Sequence, residues 1–111
     1  MGPISKGLAG EMMSEAEAIA AGETIRGRQV TFELPSGNRT RPDLLTEMQT
    51  SSLKIREAKN GPTATLSEGQ KELRQVIQNG GVVIPRGARV KEADLKVGEP
   101  LRIENFELDR Y

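Results

Sequence analysis

The apolar positions change period several times along the chain. Met12, Glu15, Ala16 and Ile19 follow helical spacing and Gly22 supplies a stop signal, so the pattern predicts a helix over Glu11 to Ala21, with Lys6 as its outer start. Its apolar side is mostly Ala and Met, which suits close packing. Between Arg28 and Leu34 the period drops to two, with Val30, Phe32 and Leu34 on one face, and this reads as a strand. Pro35-Ser36-Gly37-Asn38 has hairpin-turn chemistry, and Pro42 to Glu47 returns as a second strand. Thr50-Ser51-Ser52 turns the chain into a third strand, Leu53 to Lys59, which Asn60-Gly61-Pro62 ends. Ser67-Glu68-Gly69-Gln70 has the form of a capping box. The helix it opens has Leu73, Val76 and Ile77 as its inner stripe and stops at Asn79-Gly80-Gly81. Val82 to Pro85 reads as a short buried strand, Glu92 to Leu95 as one helical turn, and Leu101 to Leu108 as an edge strand. The order is helix, three strands, helix, strand and an irregular tail. It predicts a single α/β (α+β) domain over residues 1–111, with a mixed central β-sheet flanked by helices.

Composition narrows the chemistry. A chain of 111 residues with 35% hydrophobic and 3% aromatic side chains has room for one modest, aliphatic core, one that gains from a partner's support. Sixteen basic residues balance 16 acidic ones, which disfavours a non-specific nucleic-acid coat but leaves room for a local basic groove. Arg26, Arg28, Arg39 and Arg41 cluster in sequence, and Lys54, Arg56 and Lys59 follow. The same residues would also suit a solvated hairpin surface. Cysteine is absent, which excludes disulfides, thiolate nucleophiles and Cys-based zinc sites. Histidine is absent as well, which excludes Ser-His-Asp and Cys-His catalysis and the nucleases that use a histidine base. Any enzyme here works with carboxylates, Lys or Arg, hydroxyls and a hard metal ion. No run of about 18 apolar residues is present to span a membrane. Met1 to Gly10 lacks the charged start and apolar block of a secretory signal.

Within that frame one constellation carries chemistry. Pro42-Asp43 enters the second strand, and Glu57 and Lys59 lie two apart on the third, so both point to one face. Asp43 and Glu57 on neighbouring strands are placed to share a divalent cation, with waters and substrate phosphate completing the shell. Such a cation lowers the pKa of a bound water and stabilises charge on phosphoryl oxygens. The long stem of Lys59 reaches past the carboxylates to the water or the phosphorus. Gln70, Leu73, Arg74 and Ile77 share a helical face, which puts Gln70 near the sheet as well as in the capping box. Glu11 opens the first helix, as a third carboxylate or as ordinary first-turn charge.

These segments resemble the PD-(D/E)xK nuclease superfamily, with its restriction-endonuclease-like core. The matching residues are Glu11 in the leading helix, Pro42-Asp43, Glu57-Ala58-Lys59 and Leu66-Ser67-Glu68-Gly69-Gln70, over about residues 8–85. The resemblance implies that Asp43 and Glu57 bind metal, Mg²⁺ first with Mn²⁺ or Zn²⁺ as alternatives. It implies that Lys59 is catalytic and that Glu11 and Gln70 support the site, with Arg41, Arg56 and Arg74 meeting substrate. Size and the Leu-Ser-x-Gly-Gln style are similar to C-terminal toxin domains of contact-dependent growth-inhibition and type VI or Rhs systems. Those imply cleavage of DNA or, second, tRNA, a cognate immunity protein, and delivery into a target-cell cytoplasm as part of a larger secreted protein. The other readings are a non-catalytic nucleic-acid or protein binding module of the same fold, or an intracellular repair or RNA-processing nuclease. The tail from Arg86 to Tyr111 has no counterpart in the resemblance.

Overall fold

A computed structural model describes residues 6–111, with side chains from Gly10 onward. The stretch expected to lack a signal pattern therefore lies largely outside the described residues. Along the chain come α1 (Lys6–Ala20), β1 (Thr24–Arg28), β2 (Thr31–Glu33), β3 (Arg39–Thr40), β4 (Leu44–Glu47), β5 (Leu53–Lys59), α2 (Glu68–Gln78), β6 (Ile84–Arg86), α3 (Arg89–Glu92) and β7 (Asn105–Arg110). The fold is α+β. β1, β4, β5 and β7 form one sheet in that order, antiparallel except for the parallel β5–β7 pair. A second, small antiparallel sheet runs β3-β2-β6. No described helix is long and apolar enough to cross a membrane.

The single strand expected over Arg28 to Leu34 is two strands in different sheets. At Gln29 the backbone is left-handed, with φ 52°, and its N–H donates to the Asp43 carbonyl at 3.1 Å. β1 pairs with β4, while β2 leaves with β3 for the small sheet. Alternation alone did not mark this break, because Gln29 is not a turn residue by type. In the tail, the helical turn is Arg89–Glu92 rather than Glu92 to Leu95. Leu101 makes only an isolated bridge to Val83, and the last strand runs Asn105–Arg110.

β5 divides the molecule by parity. Its Leu53 and Ile55 face α2 and pack with Phe32, Leu45, Leu73 and Ile77 in the core. Lys54 and Arg56 face α1, whose C-terminus places a carboxylate beneath them. Gly22, at φ 81°, closes α1 with N–H bonds from Gly22 to Ile19 and from Glu23 to Ala18. Glu23 then takes both arms of Arg56, at 2.9 and 2.8 Å, and a bond from the Thr46 hydroxyl at 2.8 Å. Arg56 also donates to Asp109 of β7 at 3.0 Å, and Ser14 of α1 donates to the same carboxylate. One guanidinium, 3% exposed, thus ties α1, β5 and β7 together.

Hydrogen bonding from Arg56 holds the Glu23 carboxyl down at about 2. A depressed folded-state pKa stabilises the fold above the unfolded value near 4.5, and this contribution is lost as pH falls toward 2. Arg56→Ala leaves Asp109 buried without a cation and Glu23 with Lys54 alone, 3.2 Å away, and urea unfolding is expected to show a loss of about 3 kcal/mol. In the same measurement the variant shows less of the acid sensitivity that the wild type has between about pH 4.5 and 2, with Lys54 and Thr46 still bonded to Glu23. A loss under about 1 kcal/mol would show that the network does not hold the layers together.

Candidate functional site

β5 runs past β4. The last paired residues are Leu44 and Arg56, so Glu57, Ala58 and Lys59 extend beyond the end of β4. The Asp43 carboxylate fills that end, accepting the Ala58 N–H at 2.8 Å through Oδ2. Buried Pro42 fixes the approach. Asp43 and Glu57 fall on the same face of the sheet as Leu45 and Ile55, which brings the Asp43 charge close enough to act on the Glu57 carboxyl. Glu57 is 0% exposed. Its Oε2 accepts from the Gln70 amide at 2.8 Å, whereas its Oε1 is buried with no hydrogen-bond donor among the described residues.

That arrangement is electrostatically costly. Burial first, then the neighbouring Asp43 charge, push the Glu57 carboxyl up to about 8, against an opposing pull from Lys59 and the Asp43 backbone N–H. Glu11 is raised too, by burial first, although Gln29 donates to its Oε1 at 3.1 Å and opposes that; Asp43 pushes it further up. Asp43 is therefore the middle of a row of three carboxylates, Glu11, Asp43 and Glu57. A row is not a cage, and among the described residues no group of three or more acidic side chains has the form of a ready cation site. Mg²⁺ asks for less, needing one or two carboxylates with waters and phosphate around them. A carboxyl group with one donor-less oxygen, Oε1, and a second carboxylate as neighbour fits a hard cation or a shared proton.

The Gln70 side chain performs both roles read for it. Its Oε1 accepts the Ser67 N–H at 2.8 Å in the capping box, and its amide NH₂ reaches Glu57. One helix cap therefore fixes one carboxylate of the site. Lys59 follows Glu57 on β5 and is close enough to act on its charge.

The expected substrate arginines separate. Arg41 is exposed and lines a cleft on the Gln29 side of the site. Arg74 lines a different groove along α2, with Asn38, Lys71, Gln75 and Gln78. Arg56 is a correction: it lies on the opposite face of β5 from Glu57, buried and engaged by Glu23 and Asp109, with nothing free to meet substrate. The alternation that placed Glu57 and Lys59 together already put Arg56 across the sheet.

Gln29 is the residue that the sequence reading missed. It bonds Glu11 and Asp43 from a left-handed backbone, and strained backbone of this kind gathers at functional sites. Glu11, Glu15, Arg28, Gln29, Asp43 and Arg89 line a cleft of about 260 Å³, and Glu57, 0% exposed, is not among its lining residues. Arg28 is paired with Glu15 and held above its usual pKa by that carboxylate.

Comparison with protein-family models, with curated proteins and with solved structures returns no match to this chain.

A raised carboxyl pKa means that the folded protein binds a proton more tightly than the unfolded chain between about pH 4.5 and 8. Stability is then expected to fall as pH rises across that window with divalent metal chelated. Glu57→Gln places an uncharged amide against Asp43, so it should melt higher than the wild type at pH 8 and show a shallower slope. A variant that melts no higher at pH 8 would mean that the two carboxyls do not oppose each other in solution.

Proposed function

We propose that this chain is a divalent-metal-dependent nuclease domain that hydrolyses phosphodiester bonds, with DNA as substrate ahead of tRNA. The observation that carries the reading is the juxtaposition of Asp43 and Glu57 at the end of β4, with Glu57 Oε1 buried and without a donor among the described residues. Asp43 and Glu57 would hold the cation, Mg²⁺ before Mn²⁺ or Zn²⁺. When bound, it would lower the pKa of a water and offset charge on the phosphoryl oxygens. Gln70 fixes the Glu57 carboxylate from the helix cap, and Gln29 orients Glu11 beside Asp43. Lys59, on the same strand face as Glu57, would orient the attacking water or neutralise the phosphoryl group.

The order of elements supports a restriction-endonuclease-like core: a leading helix, a three-strand antiparallel unit, a second helix, and a final strand parallel to the one bearing Glu57. The residues that suggested the superfamily lie as follows: Glu11 on α1, Asp43 just before β4 rather than on it, Glu57 and Lys59 on β5, and Gln70 in α2. The setting as an antibacterial toxin, delivered within a larger protein and neutralised by an immunity protein, rests on the sequence resemblance alone. A binding module without turnover is the second reading. It is favoured by the complete burial of Glu57 beside Asp43, where a shared proton would satisfy the pair as a cation would.

Purified protein with Mg²⁺ or Mn²⁺ is expected to cut plasmid DNA or total tRNA. Lys59→Ala is expected to slow cleavage by about 100-fold or more while leaving the melting temperature within a few degrees. If both substrates stay intact with either metal, the enzymatic reading is wrong and the binding module remains.

A further inference from the structure

A second cleft adjoins the one that Asp43 lines. Arg41, Arg86 and Arg89 line a cavity of about 230 Å³ together with Gln29 and Thr31, and no carboxylate lines it. The two clefts share Gln29 and Arg89, so the arginines lie beside the cleft that Glu11 and Asp43 line. The fold gathers these arginines from two distant pieces of chain. Arg41 lies between β3 and β4, Arg86 pairs with Thr31 at the end of β6, and Arg89 opens α3.

Their charge is largely uncompensated. Arg41 makes no hydrogen bond or ion pair among the described residues. Arg89 gives one N–H to the Arg28 carbonyl at 3.3 Å, which leaves its charge unpaired. Arg86 lies 3.6 Å from Glu33, which also serves Arg39 at 3.4 Å, and the Arg86 Nε is buried without a hydrogen bond. Arginine is the side chain suited to planar, bidentate contact with phosphate oxygens. A cluster of three beside a row of carboxylates that seeks a cation fits an anion with phosphates in series. A phosphodiester chain has that form, with one phosphate at the carboxylates and the next at the arginines. Neither cleft is lined by an aromatic side chain, so backbone contact rather than base stacking is what the surface offers.

We infer that Arg41, Arg86 and Arg89 form a clamp for the nucleic-acid backbone phosphate adjoining the one that is cut. This inference rests on the nuclease reading, and it gives the chain beyond residue 85 a part in substrate binding.

Fluorescence anisotropy with labelled duplex DNA and with labelled tRNA, divalent metal chelated, reads binding apart from cleavage. The triple variant Arg41→Gln/Arg86→Gln/Arg89→Gln is expected to bind at least tenfold more weakly than the wild type at low salt. Each lost phosphate contact flattens the slope of log affinity against log salt by about 0.9 on duplex DNA, so the triple variant should be flatter by up to about 3. Arg41→Gln alone, at an exposed residue with no partner to lose, should weaken binding several-fold without changing the melting temperature. Equal affinity for the wild type and the Arg41→Gln and triple variants would overturn the clamp, and would hand this face to an acidic protein partner. Failure of the wild type to bind either nucleic acid would overturn it too. Cleavage by the wild type with Mg²⁺, measured separately, shows whether the nuclease reading stands after either failure.

Discussion

Burial of charge is the constraint on which the rest of this structure depends, and β5 meets it in opposite ways on its two faces. On the face toward α1, Arg56 enters the interior with Glu23 and Asp109 against its guanidinium, and Ser14 and Thr46 occupy further lone pairs of those carboxylates. Removing a charge from water is tolerable when its partners and hydrogen bonds are complete. On the face toward α2, Glu57 is buried as deeply, yet another carboxylate acts on it more strongly than Lys59 does, and one of its oxygens lacks a donor among the described residues. The first arrangement binds layers together. The second is out of balance and is completed only by a proton or a cation.

The scaffold concentrates its ordinary stabilising devices around that imbalance. The Ser67–Gln70 capping box starts α2 and points an amide at Glu57. The Asp43 side chain ends the β4–β5 ladder by taking the Ala58 N–H, which pins its carboxylate beside Glu57. Gln29 holds a left-handed backbone while bonding α1 and the entry to β4. The residues that close elements are thus also those that position the site, so the site can be disturbed by changes that appear only to affect a cap or a turn.

Much of this was legible in the sequence where the signal was local. The capping box, the stop at Gly22 and the extent of β5 from Leu53 to Lys59 depend on residues within one element, and the structure has them as expected. Strand parity and a short meander put Asp43 and Glu57 near one another, although the β4–β5 ladder stops at Leu44 and Arg56 and leaves Asp43 outside the strand. What was not legible depends on distant contacts. Gln29 leaves β geometry because Asp43 and Glu11 bond it, and nothing about glutamine announces that. The second sheet forms because β6 returns to β2 after 50 or so residues of intervening chain, a pairing that no local pattern encodes. Arg56 was misread for another reason: a basic residue beside a site residue suggests substrate, whereas its parity places it among the carboxylates of Glu23 and Asp109.

The central claim is that Asp43 and Glu57 converge to hold a hard cation, and the most direct measurement is a crystal structure of the protein soaked in Mn²⁺, with anomalous data collected. The account predicts one anomalous peak between the two carboxylates, within coordination distance of both. Well-ordered density for both side chains with no peak between them, or with the two carboxylates turned apart, would contradict it.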